Sequence, residues 1–148
     1  MSIEARTHTA LHVVKGALAR ALGVQWTTSV AVDGAHGRIA VEFGRKPTDE
    51  ELAEVQRLVD EKIREDAPIE VLEMPRRDAE VRFGDLIYDK FPLPESVQTL
   101  RVFHLRGWNV NACNKEHTRS TGEVGKVTLS KARHRGGKGV LEVSFDVA

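Results

Sequence analysis

Two pairs of residues with metal-binding side chains share one spacing. His8 and His12 lie near the N-terminus, Cys113 and His117 near the C-terminus, and each pair is four residues apart. One sulfur and three nitrogens suit a tetrahedral zinc site. The set takes the single cysteine of the chain and three of its six histidines. About a hundred residues separate the pairs, far beyond the spacing of a zinc finger, so such a site requires the fold to bring the two ends together. Thr9 follows His8, so the His-Glu-x-x-His pattern of metalloproteases is absent, and with it that mechanism's general base. Four protein ligands close a tetrahedron and describe a structural site. A catalytic role requires one of the four to be loosely held, displaced by substrate, or not bound to the metal at all. The alternative for the helical pair is two buried, hydrogen-bonded histidines with no metal.

The elements around these residues are readable in outline. Thr7 to Leu22 reads as a helix, with Thr7 as N-cap, a stripe of Leu11, Val14, Leu18 and Leu22, and Gly23 as the stop. At about 100° per residue, His8 and His12 sit only ~40° apart on the edge of that stripe, so both imidazoles reach one point. Trp26–Val32 and Arg38–Phe43 read as strands joined by a turn. Thr48 and Glu51 form a capping box ahead of a helical stripe of Leu52, Val55, Val59 and Ile63. Ile69–Met74 is a short strand ended by Pro75, Arg76–Phe83 a short helix, and Asp85–Glu95 irregular. Val97–Leu105 reads as a strand, and Trp108–Ala112 leads into the second ligand pair. Two closing strands, Lys126–Arg133 and Gly139–Val147, flank Gly136-Gly137-Lys138, which is a hairpin turn and too short for a phosphate loop. This order predicts a single α+β domain over residues 1–148, with a largely antiparallel β-sheet packed on two main helices.

Composition narrows the function classes. The chain has 148 residues, 41% of them apolar and 30% charged, with Lys plus Arg equal to Asp plus Glu at 22 each. That is the composition of an ordinary globular domain. Charge is unevenly placed. Thr48–Asp66 carries eight acids against three bases, and Cys113–Lys138 carries seven bases against two acids. A positive segment beginning at the metal pair would favour an anionic partner, with nucleic acid the first candidate. Two solvated faces are the plainer alternative. A lone cysteine fits a reducing compartment, no run of 18 apolar residues suggests a membrane span, and no signal-peptide core is visible. A cytoplasmic location is therefore the expectation.

Four stretches carry a resemblance to a known family. They are Arg6–Gly16, Trp26–Ser29, Trp108–Thr118 and Ser120–Gly125. Through them the chain resembles the editing domains of alanyl- and threonyl-tRNA synthetases and the free-standing alanyl-tRNA editing proteins called AlaX. The resemblance covers nearly the whole chain and points to the short, stand-alone form. In one respect the chain departs from the synthetase editing domains, which usually carry glycines between the Cys and the His. Here the insert is Asn114-Lys115-Glu116, which fits the short AlaX type.

The resemblance implies hydrolysis of the ester joining a wrong amino acid, chiefly serine and with glycine open, to the 3′-terminal adenosine of alanine tRNA. It implies His8, His12, Cys113 and His117 as zinc ligands and matches Thr27 to a threonine near the metal, the partner for the serine hydroxyl. An ordinary strand threonine is the alternative. Lys115, Arg119, Lys131, Arg133, Arg135 and Lys138 are the candidates for phosphates of the acceptor end. Asn109 and Asn111 either orient ligands or serve the turn. The competing function is a non-catalytic module, held together by zinc, that docks RNA or a synthetase.

Overall fold

The N-terminal helix is buried on more than one side, and the rest of the chain is arranged around it. A computed structural model describes residues Met1–Ala148. Helix α1 spans Ile3–Leu22, and every residue from Thr9 to Val14 is buried. It begins four residues earlier than the sequence suggests. Ser2 is the true cap, its hydroxyl accepting from the Ala5 N–H at 3.1 Å. Thr7 lies inside the helix instead, with its hydroxyl 2.8 Å from both the Ile3 and Gly34 carbonyls. A threonine that bonds back to the i−4 carbonyl tolerates a helix interior. Gly23 ends the helix as expected, at φ 72°, a conformation that glycine adopts without a Cβ clash.

Seven strands form two antiparallel sheets rather than one. Strands β1 (Thr27–Asp33), β2 (His36–Glu42), β6 (Val127–Arg135) and β7 (Val140–Val147) make a four-stranded sheet in the order β1-β2-β7-β6. Strands β3 (Glu70–Pro75), β4 (Thr99–Leu105) and β5 (Asn109–Ala112) make a three-stranded sheet in the order β3-β4-β5. Helix α2 (Asp49–Arg64) starts at the expected capping box, with Glu51 N–H to Thr48 Oγ1 at 3.1 Å and Thr48 N–H to Glu51 Oε1 at 2.9 Å. It buries Val55 and Val59 against α1 and the first sheet. Helix α3 (Arg76–Phe83) follows β3 directly. No helix is long and apolar enough to cross a membrane.

The second sheet separates two cores by strand alternation. Phe103 and Leu105 of β4 join the main core with α1, α2 and the first sheet. Leu100 and Val102 point the other way, toward Ala79 of α3 and toward Ile87 and Tyr88. The α1-facing side of the second sheet is where the chemistry-bearing residues collect.

Helix and sheet approach closely at one place. Gly16 of α1 faces the indole of Trp108, whose Nε1–H donates to the Val13 carbonyl at 3.0 Å. The Arg20 guanidinium and Lys62 ammonium lie 4.5 Å and 4.7 Å from that ring system. A Cβ at position 16 would overlap the indole, and the site has little room to yield. Gly16→Ala therefore destabilises the fold by about 1–3 kcal/mol, although alanine is the better helix former. Urea denaturation reads this out as a lowered midpoint. A stabilised variant would contradict the packing described.

Candidate metal centre

Three of the four expected ligands come together. His12 of α1, and Cys113 and His117 of the segment after β5, place one donor atom each within 4.8 Å of one another. Cys113 Sγ lies 3.5 Å from His117 Nε2. His8 stands at the rim, half-buried, with its ring edge-on to His117 at 6.5 Å between centroids. It lines the same cavity without joining the tight group.

Each of the three is held from behind. The His12 ring stacks on Phe103 of β4, with 3.9 Å between centroids and 10° between planes. Its Nδ1–H donates to Asn109 Oδ1 at 2.7 Å, which leaves the Nε2 lone pair free. This is the arrangement that orients a metal-ligating histidine. His117 is positioned through its neighbour. Thr118 donates its N–H to the buried Thr9 hydroxyl at 2.8 Å, which ties the C-terminal loop to α1. Cys113 N–H donates to the Arg101 carbonyl at 2.9 Å. Arg101 in turn holds the loop after Cys113, donating to the carbonyls of Asn114 at 3.2 Å and Lys115 at 2.9 Å.

The donors have the protonation preferences a cation site needs. Burial pushes His12 well below its ordinary value, and the neighbouring His117 adds to the effect. His117 is pushed down to about 4, chiefly by burial and then by His8 and Arg101. Burial also lowers His8, assisted by Lys115 and opposed by Glu4. All three imidazoles are thus neutral near pH 7, the form that binds metal. Burial raises the Cys113 thiol, so capture of a cation would expel its proton. His117 Nδ1 is buried and has no hydrogen-bond partner. One thiol and two neutral imidazoles in a single group, with a third imidazole at the rim, could hold a divalent cation.

The cluster opens onto a cavity of about 380 Å³ between α1, β1 and the second sheet. Thr27 lines it. Its side chain is 1% exposed, and its Oγ1 has no hydrogen-bond partner. Lys15, Arg101, Asn111 and Asp89 also line it. The Lys15 ammonium donates to Asn111 Oδ1 at 2.7 Å and Asp89 Oδ1 at 3.1 Å. One wall is the segment after Tyr88. Arg76 holds that wall, donating to the carbonyls of Leu93 (3.1 Å), Pro94 (2.7 Å) and Val97 (3.0 Å) and to the Tyr88 hydroxyl (2.8 Å). A larger hollow of about 500 Å³, lined by Phe83, Leu86 and Trp108, shares Lys15 with this cavity.

The basic residues fall into separate groups. Lys115 lines the cavity. Arg119 is exposed on the loop after Thr118. Arg135 and Lys138 border a shallow depression with Thr28, Lys90 and Phe91, beside the cavity wall. Lys131 borders a different hollow, against Leu52 and Gln56 of α2, and Arg133 is exposed on β6. Sequence reading missed Lys15, Asp89, Arg101 and Thr9. Lys15 was within reach, since His8, His12 and Lys15 follow the i, i+4, i+7 rule of one helix face. Asp89 lies in an irregular segment with no periodicity to expose it.

No family model matches the chain. It is similar over nearly its whole length to a segment of alanine–tRNA ligases. The enzyme of Methanopyrus kandleri is 36% identical over 141 residues, covering 95% of this chain and 15% of that protein. The enzyme of Pyrobaculum calidifontis is 32% identical over 145 residues, 95% of this chain and 16% of that protein. That of Pyrococcus abyssi is 34% identical over 125 residues, 84% of this chain and 14% of that protein. The chain thus spans about 15% of the length of the curated relatives it matches.

The cluster predicts a graded response to mutation. His12→Ala and Cys113→Ser abolish tight metal binding, whereas Asn109→Ala weakens it by ~10–100-fold through the freed imidazole. His8→Ala costs less than His12→Ala. Competition titration with a chromophoric chelator measures each, and equal affinities across the four variants would refute the site.

Proposed function

We propose that this chain is a zinc-dependent hydrolase that removes serine wrongly esterified to the 3′-terminal adenosine of alanine tRNA. Likeness to alanine–tRNA ligases supports the tRNA. The observation that carries the reaction is Thr27, a buried hydroxyl without a partner on the wall of the cavity that holds the cluster. An unpaired buried hydroxyl costs about 1–3 kcal/mol, and a ligand hydroxyl in the cavity relieves that cost.

The selectivity follows from the same imbalance. A pocket shaped for alanine rejects an analogue with one added hydroxyl only ~10²-fold, so serine escapes the first selection. A second site that must hydrogen-bond the hydroxyl rejects a substrate lacking it far more strongly, up to ~10⁴–10⁵-fold. Seryl esters satisfy Thr27, and alanyl esters leave it orphaned.

His12, Cys113 and His117 would hold the cation, with His8 at the rim as a fourth donor. When bound it supplies Lewis acidity to a carbonyl or a water. Asn109 keeps His12 in the tautomer that presents Nε2. Leu11, Val30 and Leu100 add apolar surface to the lining. Lys115, Arg119, Arg135 and Lys138 receive phosphates of the acceptor end, while Lys131 and Arg133 extend the positive surface along β6.

The direct test uses purified protein with serine-charged and alanine-charged alanine tRNA, each with and without a chelator. Metal-dependent loss of serine alone is expected, and stable charge on both tRNAs overturns the reading. Thr27→Val lowers the rate on seryl-tRNA by about 10- to 100-fold, the equivalent of one lost buried hydrogen bond, and leaves metal content unchanged. Parallel loss of rate and metal would reassign Thr27 to the fold. Affinity for uncharged alanine tRNA falls steeply as salt rises, and Lys115→Ala flattens that slope. A salt-independent affinity would remove the phosphate contacts.

A further inference from the structure

The cavity beside the metal cluster has one anionic group on its wall. Its other charged lining residues, Lys15, Arg101 and Lys115, are cations, and Asp89 is the only carboxylate. Asp89 is braced on one oxygen. Oδ1 receives the Lys15 ammonium at 3.1 Å and Asn111 Nδ2 at 3.2 Å. The brace is closed by Lys15 donating to Asn111 Oδ1 at 2.7 Å. No protein donor reaches Oδ2. The Lys15 side chain is 13% exposed and that of Asp89 44%, so the brace is interior while the carboxylate stays open to a ligand. The backbone fixes its position relative to Thr27. Lys90, the next residue, donates its N–H to the Thr27 carbonyl at 2.9 Å. The segment that carries Asp89 is therefore tied through the main chain to the start of β1, and both Thr27 and Asp89 line the cavity.

We propose that Asp89 binds the α-ammonium group of the aminoacyl ester. This rests on the editing reading above, and it defines the substrate class more narrowly. A free aminoacyl ester carries a cation on the carbon next to the carbonyl. Moving that cation from water into the cavity is costly without a partner of opposite sign, and three of the four charged wall residues repel it. Asp89 offers the one attractive contact, a charge-assisted hydrogen bond at Oδ2. Lys15 and Asn111 are positioning residues. They keep the carboxylate in a single orientation, so little side-chain entropy is lost on binding. Substrates whose amine is missing or blocked forfeit the contact. The site is thereby restricted to free aminoacyl esters and excludes N-acylated and peptidyl esters, which carry the same ester bond.

The test separates substrate charge from protein stability. Two non-hydrolysable probes are 3′-deoxyadenosines acylated on a 3′-amine, one with L-serine and one with 3-hydroxypropanoate, which keeps the hydroxyl and lacks only the amine. Calorimetric titration of the zinc-loaded protein should show the seryl probe binding at least 10-fold more tightly. Asp89→Asn, which can still accept from Lys15 and Asn111, should weaken the seryl probe by about 10- to 100-fold and leave the other unchanged, closing the gap. Equal binding of both probes by the wild-type protein overturns the proposal without any variant. Equal weakening of both by Asp89→Asn also overturns it, and reduces Asp89 to a structural brace. If the wild-type protein binds neither probe and leaves seryl-tRNA intact, the editing reading falls and this inference falls with it. Seryl-tRNA hydrolysed with no discrimination between the probes would sink the inference alone.

Discussion

The indole of Trp108 rests on the bare backbone of α1 at Gly16, and the geometry of the site follows from that approach. A mid-helix glycine costs roughly 1 kcal/mol of helix propensity. Here it lets the indole that leads into β5 pack directly on the helix backbone. Alternate residues of the strand and of the segment leaving it, Asn109, Asn111 and Cys113, then face α1, while Val110 and Ala112 pack on the second core. The period of two on the strand side meets the helical period on the other. Asn109 reaches His12 and Asn111 reaches Lys15. A strand displaced by a methyl group would lengthen both contacts together.

Burial then sets the chemistry. The helix lies between two sheets, so its histidines lose solvent and prefer the neutral form. Phe103 supplies a flat surface beneath His12, and the buried Thr9 hydroxyl draws in the loop that carries His117. Polar groups are concentrated on the cavity side, and they divide into two kinds. Lys15, Asn111 and Asp89 satisfy one another. Thr27 Oγ1 and His117 Nδ1 are left unsatisfied, and groups of that kind commonly await something from outside the chain.

Much of this was legible in the sequence, because local rules govern much of it. The α2 capping box, the Gly23 stop, the short helix after Pro75 and the ligand spacing depend on residues a few positions apart. The start of α1 was misplaced because a threonine can serve as cap or as interior residue, and only packing decides which. One sheet became two because alternation along β4 does not say which partner covers each face. Thr27 came from resemblance to a known family, and its lack of a partner is visible only in three dimensions. Asp89 was illegible. Its position is set by Lys15, Asn111 and the Lys90 backbone contact, which lie far apart in sequence or in main-chain atoms common to every residue.

Arg76 grips the far wall of the cavity through the carbonyls of Leu93, Pro94 and Val97. Main-chain oxygens are present whatever side chain follows, so the grip is indifferent to the identity of those residues. Leu93, which is 38% exposed, can be exchanged for larger, smaller or more polar groups while the loop keeps its course, whereas Val97 also packs on the second core. The same framework can therefore be retuned toward ligands of other shapes by drift at exposed wall positions, with the donor cluster and its supports left intact.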